Sequence, residues 1–391
     1  MLKFDIIKRD GLARVGVIHT PHGDIKTPAF VGAATKATVK ALTIKEMREL
    51  GSQAILANTY HLILAPGSDL IEEAGGLAKF SSWSGPTFTD SGGFQIFSLP
   101  NVKITESGAK FRSVINGDKF EMTPESSMQD QWKIGADIHM AFDHLTKTEE
   151  RKDIEIAMHR THKWLDRCVD EHNKLAEVAK KEGKDEQYLY AVVQGGTFND
   201  LRAESAKYCA SKNPDGFGIG GVFVADGMDE MLKTVNSILP ESKPRHLLGM
   251  GQEPVDLFVG VEQGIDTFDC VAPTRMARNG SLYTLDGRIN IKNAKYKHDF
   301  TPLMEDCDCE FCKNFSRAYL HHLFKTDEIT AKVLASIHNE RFVVRTVDSI
   351  RETLLDGVFQ DYKQEFLSRY YKQLRVHYPR ICCDSCGIGE K

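Results

Sequence analysis

The sequence predicts an α/β fold organised around a parallel sheet: a closed (β/α)8 barrel, with the doubly wound open sheet as its competitor. Three observations lead there. Short apolar runs end again and again in Gly, Asp, Gln or Asn, segments of helical period separate them, and there are about eight such units.

The elements follow in order. The N-terminus reads as short strands, ARVGVIHT and then PHGDIKTPAFVG, punctuated by Pro and Gly. Seven apolar runs come next: AILANTY (54–60), TFTDSGG (87–93), IHMAFDH (138–144), LYAVVQGG (189–196), GFGIGG (216–221), HLLGMG (246–251) and IDTFDC (265–270). Helical segments lie between them. The longest runs over 149–183, with Gly183 as its stop signal. In a barrel or an open sheet, catalysis is placed at the C-terminal strand ends. Asp90, Asp143, Gln194, Gly220, Gly221 and Asp269 all fall there.

With 391 residues, 41% of them hydrophobic and 27% charged, the chain can bury a large core as one big domain with an elaboration or as two domains. The opening residues MLKFDIIKRDG lack the apolar core of a secretory signal, and no run of about 18 apolar residues is present, so a cytoplasmic protein without a membrane anchor is expected. Nine cysteines, an odd number in a chain without an export signal, argue against a disulfide framework. A net charge of −5 argues against non-specific coating of nucleic acid but permits a local basic surface. One such stretch is SRYYKQLRVHYPR (368–380), where basic residues interleave with tyrosines and no acid interrupts them.

The cysteines cluster. Cys307, Cys309 and Cys312, with His338 farther along, form a Cys3His set suited to a closed, tetrahedral, structural zinc site. His321 and His322 compete with His338 for the fourth position, and spacing alone does not choose. The tail cysteines Cys382, Cys383 and Cys386 have no second pair nearby and read as thiols of a frayed C-terminus.

Two aspartates among the strand-end residues suit catalysis without a metal: Asp90 in TFTDSGGFQ and Asp269 in FDCVAPTRMARNG. Two carboxylates on one rim can divide the work of nucleophile and general acid/base, as in retaining glycoside hydrolysis. Gly92 and Gly93 would let a ligand approach the backbone, Phe94 could stack on a flat ring, and Asp143 and Gln194 offer directional partners to the edge of a purine-like heterocycle. Glycosyl chemistry with an aspartate nucleophile is the expectation from the residues alone.

The motifs TPAFVGAATKATVKALT, ANTYHLILAPG, TFTDSGGFQIFSL, MAFD, VVQGG, GFGIGGV, FDCVAPTRMARNG and RAYLHHL, in this order over nearly the whole chain, resemble the tRNA-guanine transglycosylases of bacterial type, also called queuine tRNA-ribosyltransferases. The resemblance implies a (β/α)8 TIM barrel with an inserted zinc-binding subdomain: barrel and N-terminal strands over 1–290, zinc subdomain over 291–340, C-terminal helical segment with its basic tail over 341–391. It implies exchange of guanine at the first anticodon position of a tRNA with a GUN-type anticodon for a 7-deazaguanine base. Carried over by position, Asp269 is the nucleophile and Asp90 the general acid/base. Asp143, Gln194, Gly220, Gly221 and Val222 read the base, Phe94 stacks on it, and Leu248 or Met250 forms the floor beneath it. Arg275 and Arg278 meet anticodon RNA. Cys307, Cys309, Cys312 and His338 hold structural Zn2+. A homodimer is also implied, with Phe315, Tyr319 and His322 in its contact.

The sequence departs from the family's usual pattern at His144, Leu145, Thr146 and Lys147, and again over 222–226, around the pocket for the base's 7-substituent; this leaves the incoming base open. A barrel glycoside hydrolase with a structural zinc, which would not need Arg275 and Arg278, and a non-catalytic RNA-binding relative, which would not need both aspartates, are the alternatives.

Overall fold

The computed structural model describes residues 1–146, 148–221 and 227–372. Lys147, Val222 to Asp226 and the tail from 373 onward, with Cys382, Cys383, Cys386 and most of the basic tyrosine-rich stretch, lie outside the described residues. The chain divides into two compact units.

The first unit comprises 1–38, 53–250 and 259–269, and it contains the barrel. Eight parallel strands close on themselves in chain order: Ala29–Ala33, Ile55–Asn58, Thr87–Asp90, Ile138–Met140, Tyr188–Val193, Gly216–Ile219, Arg245–Leu247 and Thr267–Cys270. The open sheet is thereby excluded. Closure is visible where Ala29 N–H donates to the Asp266 carbonyl at 2.9 Å, joining first strand to eighth. Each expected apolar run contributes a strand shorter than the run; in all but IDTFDC, whose strand begins late, the last residues of the run turn into the following loop or helix. The first strand comes from PHGDIKTPAFVG and the residue after it: this stretch splits into Gly23–Thr27 in a separate sheet and Ala29–Ala33 in the barrel.

Alternation along the strands sends every second side chain into the barrel. Val31, Leu56, Phe88, Ile138, Met140, Tyr190 and Val192 pack there in one buried cluster, which Leu2, Ile18 and Ile25 of the N-terminal antiparallel sheet extend. Burying each large side chain of this kind contributes about 1.5–3 kcal/mol. The N-terminal sheet is tied to the barrel by a buried ion pair: Arg14 Nε donates to Asp266 Oδ1 at 2.8 Å, and Asp266 Oδ2 also accepts from Arg245 N–H at 2.7 Å. Asp266 is therefore a fastener at the foot of the eighth strand.

A 32-residue helix, Arg151–Glu182, follows the fourth strand and ends at Gly183, whose φ of +68° closes it in the left-handed region. A three-stranded antiparallel insert (103–104, 109–112, 119–122) follows the third strand.

The second unit comprises 39–52, 251–258 and the residues from 270 onward. Its organising element is the 28-residue helix Ile329–Asp356. Asn339 pins this helix to the chain around it, donating to the Pro273 and Ser281 carbonyls at 3.0 and 3.1 Å and accepting from Tyr283 N–H at 3.1 Å. Phe342 stacks on Tyr283 with ring centres 5.1 Å apart. Among the described residues no helix is long and apolar enough to cross a membrane.

Candidate active site and metal centre

The C-terminal strand ends of the barrel carry polar residues in two hydrogen-bonded groups. Parallel pairing sets Asn58 and Asp90 side by side at the ends of the second and third strands. Asn58 Nδ2 donates to Asp90 Oδ2 at 2.6 Å, while Thr59 N–H and Gly92 N–H reach Oδ1 at 3.3 and 3.0 Å. These donors favour the carboxylate, but burial opposes them more strongly and the charge of Asp269 adds to it. The Asp90 carboxyl is pushed up to about 7. Near neutral pH it both holds and releases a proton.

Gly92 is required for the turn that follows. Its φ is +74°, and a Cβ there would lie 2.7 Å from the Tyr60 backbone nitrogen. Gly93 is as tight, since a Cβ would meet the Asp143 carbonyl at 2.9 Å. Ser91, between Asp90 and this pair, donates to Asp143 Oδ1 at 2.9 Å, and Gln194 Nε2 donates to Asp143 Oδ2 at 2.6 Å. Burial raises the Asp143 carboxyl above its ordinary range. The third, fourth and fifth strand ends are thus linked through one carboxylate.

Asp269, at the end of the eighth strand, is held from the seventh. His246 Nε2 and Gly249 N–H reach the same oxygen, Oδ1, at 3.1 and 2.9 Å. His246 is fully buried, and its Nδ1 faces the Thr267 hydroxyl at 2.9 Å. A carboxylate only accepts, so Nε2 carries the hydrogen and Nδ1 accepts from Thr267. Oδ2 of Asp269 has no partner among the described residues. Cys270 is buried, and its sulfur accepts from Ala272 N–H at 3.4 Å.

A cavity of about 350 Å³ opens beside these strand ends, lined by Phe94, His144, Leu145, Gln194 and Gly221 among others. Phe94 stands 53% exposed in the short helix after Gly92, open to a planar ligand. Gly220 and Gly221 follow the sixth strand; a Cβ on Gly221 would lie 2.7 Å from Gln194 Oε1. His144 is buried edge-on to Phe97 at 4.8 Å, and its Nδ1 lies 3.1 Å from Arg160 Nη1. Leu248, partly buried, packs on the barrel core, and neither it nor half-buried Met250 lines the cavity. Val222 lies outside the described residues.

Arg275 and Arg278 sit on the helix Ala272–Arg278 of the second unit, which begins three residues after Asp269 in the chain. Arg275 is exposed. Arg278 is half-buried and its Nη1 has no partner among the described residues. Phe315 and Tyr319 stack with ring centres 5.2 Å apart, Tyr319 being 41% exposed and His322 exposed beside it.

The candidate metal centre is in the second unit. The sulfurs of Cys307, Cys309 and Cys312 and a ring nitrogen of His338 lie within 4.8 Å of one another, all four residues buried. His338 Nδ1 is 3.3–3.7 Å from the three sulfurs, while its Nε2 donates to the Tyr283 carbonyl at 2.8 Å. That bond fixes the tautomer which leaves Nδ1 free to ligate. His321 is committed to the Ile291 carbonyl at 2.8 Å and His322 is exposed, so the fourth position falls to His338.

Three polar residues central to this geometry escaped the reading of the sequence: Asn58, His246 and Arg202. Asn58 and His246 stand in strand runs quoted above, so register was the signal that could have found the first two. Arg202, buried near the start of a helix, left no such signal.

Residues 9–372 match the sequence model of the family described as queuine tRNA-ribosyltransferase. A protein of that name from Herpetosiphon aurantiacus is 47% identical over 366 residues, covering 92% of this chain and 91% of its own. Those of Symbiobacterium thermophilum and Bacillus subtilis are 45% and 42% identical, covering 95% and 94% of this chain and 92% and 96% of theirs. On this family match and these relatives, the chain belongs to the queuine tRNA-ribosyltransferase family.

Proposed function

We propose that this protein exchanges guanine at the first anticodon position of a GUN-type tRNA for a 7-deazaguanine base, through a covalent aspartyl–ribose intermediate. The observation that carries this reading is the contrast between the two strand-end aspartates. Asp90 is pushed up to about 7 and so can hold or release a proton. Asp269 takes both its donors on one oxygen. Its other oxygen attacks the ribose C1′, the C1′–N9 bond breaks with its electron pair passing into the base, and a proton from Asp90 makes the departing guanine neutral. The incoming base gives its proton back to Asp90 and displaces Asp269. Asp143 and Gln194 read the base edge, Gly221 N–H donates to its O6, and Phe94 stacks on its face. Arg275 and Arg278 contact anticodon RNA, and the Cys3His group binds structural zinc. The protein works in the cytoplasm as a homodimer, with Phe315 and Tyr319 in its interface.

Incorporation of labelled guanine into a GUN-anticodon tRNA tests the exchange. No incorporation by the wild-type protein refutes it, and loss of the old base without its replacement would indicate a hydrolase. Asp269→Asn is expected to abolish the trapped tRNA–protein adduct, whereas Cys270→Ala retains it.

A further inference from the structure

Arg202 is fully buried, and no carboxylate is among its hydrogen-bond partners. Instead its guanidinium donates to four main-chain carbonyls: Gly196 from Nε at 2.7 Å, Val193 and Gly220 from Nη1 at 3.1 and 2.7 Å, and Gly221 from Nη2 at 3.1 Å. It thus joins the two glycine pairs that follow the fifth and sixth strands. Its position is otherwise unfavourable. It stands in the first turn of the helix Asn199–Ser211, where the helix dipole disfavours a cation, and burial without a counter-charge is costly.

The Gly220–Gly221 peptide gives this placement a chemical consequence. A trans peptide directs its C=O and N–H in opposite directions. With the Gly220 carbonyl turned onto Arg202, the N–H of the same peptide, that of Gly221, is turned away from it. This N–H has no partner among the described residues, and Gly221 lines the cavity together with Gln194. A cation bonded to the carbonyl of a peptide polarises that peptide and strengthens its N–H as a donor. Burial lowers the guanidinium only to about 9, so the charge is present at neutral pH.

We propose that Arg202 is a positioning residue for base exchange, which fixes and polarises the Gly220–Gly221 peptide so that its N–H stabilises the negative charge reaching O6 as the base departs. This rests on the reading of Gly221 N–H as the partner of O6. The reaction is unchanged: the C1′–N9 electron pair enters the base and spreads to O6, Asp269 takes C1′, and Asp90 supplies the proton. Arg202 touches neither base nor ribose.

The test uses the full-length protein in single turnover, with tRNA carrying either guanine or the more acidic 8-azaguanine at the exchanged position. Arg202→Gln is expected to slow guanine release by about 10- to 100-fold, approaching the loss seen when one donor to a developing oxyanion is removed. It should slow 8-azaguanine release less, because that base needs less help to carry charge. Arg202→Lys, which keeps the charge but not the fork, should fall between wild type and Arg202→Gln for guanine. A merely structural arginine would slow both bases by one common factor. That result, or no loss in folded Arg202→Gln, overturns the proposal. If Arg202→Gln does not fold, the same two-base comparison on Arg202→Lys decides it. Failure of the wild-type protein to release either base would instead refute the exchange reading.

Discussion

Replacing Asp90 by Asn removes a buried carboxyl whose proton affinity depends on folding, and the effect on stability has a definite sign. The folded protein holds this proton up to about 7, the unfolded chain only up to the ordinary value of 3.8. Between these limits the native state binds more protons, so the contribution to stability is fully present below 3.8 and is lost as pH rises through about 7. The interval corresponds to about 4 kcal/mol, and the partial exposure of the strand end reduces this to about 2–4 kcal/mol. Asn also places an amide among the three donors that converge on Asp90, costing about 1–3 kcal/mol. That cost is the same at every pH. Urea unfolding of wild type and Asp90→Asn at pH 5 and pH 8.5 separates the two effects. Because pH 5 already lies above 3.8, only about two pH units of that interval are sampled, and the variant should gain about 1–3 kcal/mol relative to wild type on going to the higher pH. A stability difference between the two proteins that does not change with pH would refute the assignment of the raised carboxyl.

Asp269→Asn removes the neighbouring charge that helps to raise Asp90, and the same unfolding measurements in that background should give a smaller pH-dependent change. Asp266→Asn should cost about 3–5 kcal/mol in urea unfolding by leaving Arg14 buried without its counter-charge, yet still form the tRNA adduct. Gly92→Ala should cost about 1–3 kcal/mol and abolish guanine exchange, because the added carbon strikes the Tyr60 backbone. Chelation should make Cys307, Cys309 and Cys312 reactive towards a thiol reagent and lower stability by at least about 3 kcal/mol, as expected for opening a cross-link that closes a loop of this size; thiols that stay protected in chelator would count against metal ligation.

The barrel was legible in the sequence because its strands are buried on both faces: each reads as an apolar run, and each run stops at a polar residue where the chain enters the rim. The first strand was not, because Ala29–Ala33 follows Gly23–Thr27 after a single residue, and apolar content alone does not say that the two join different sheets. Asp90, Asp143, Gln194 and Asp269 stood out as polar residues at apolar strand ends. Asn58, His246 and Arg202 act on other groups of the rim, so their roles follow from register and direction rather than from residue type. His338 could be chosen over His321 only once a carbonyl was seen to occupy the latter.

Every described donor to Asp90 and Asp269 is a backbone N–H or a side chain from a neighbouring barrel strand, Asn58 or His246. The cavity wall at His144 and Leu145 instead belongs to the loop between the fourth strand and the long helix. Reactivity and selectivity therefore have separate mutational addresses. If the proposed base exchange holds, substitutions in that loop would change which base is taken up without retuning the two carboxylates, so a lineage could drift to a new base while its chemistry stays fixed.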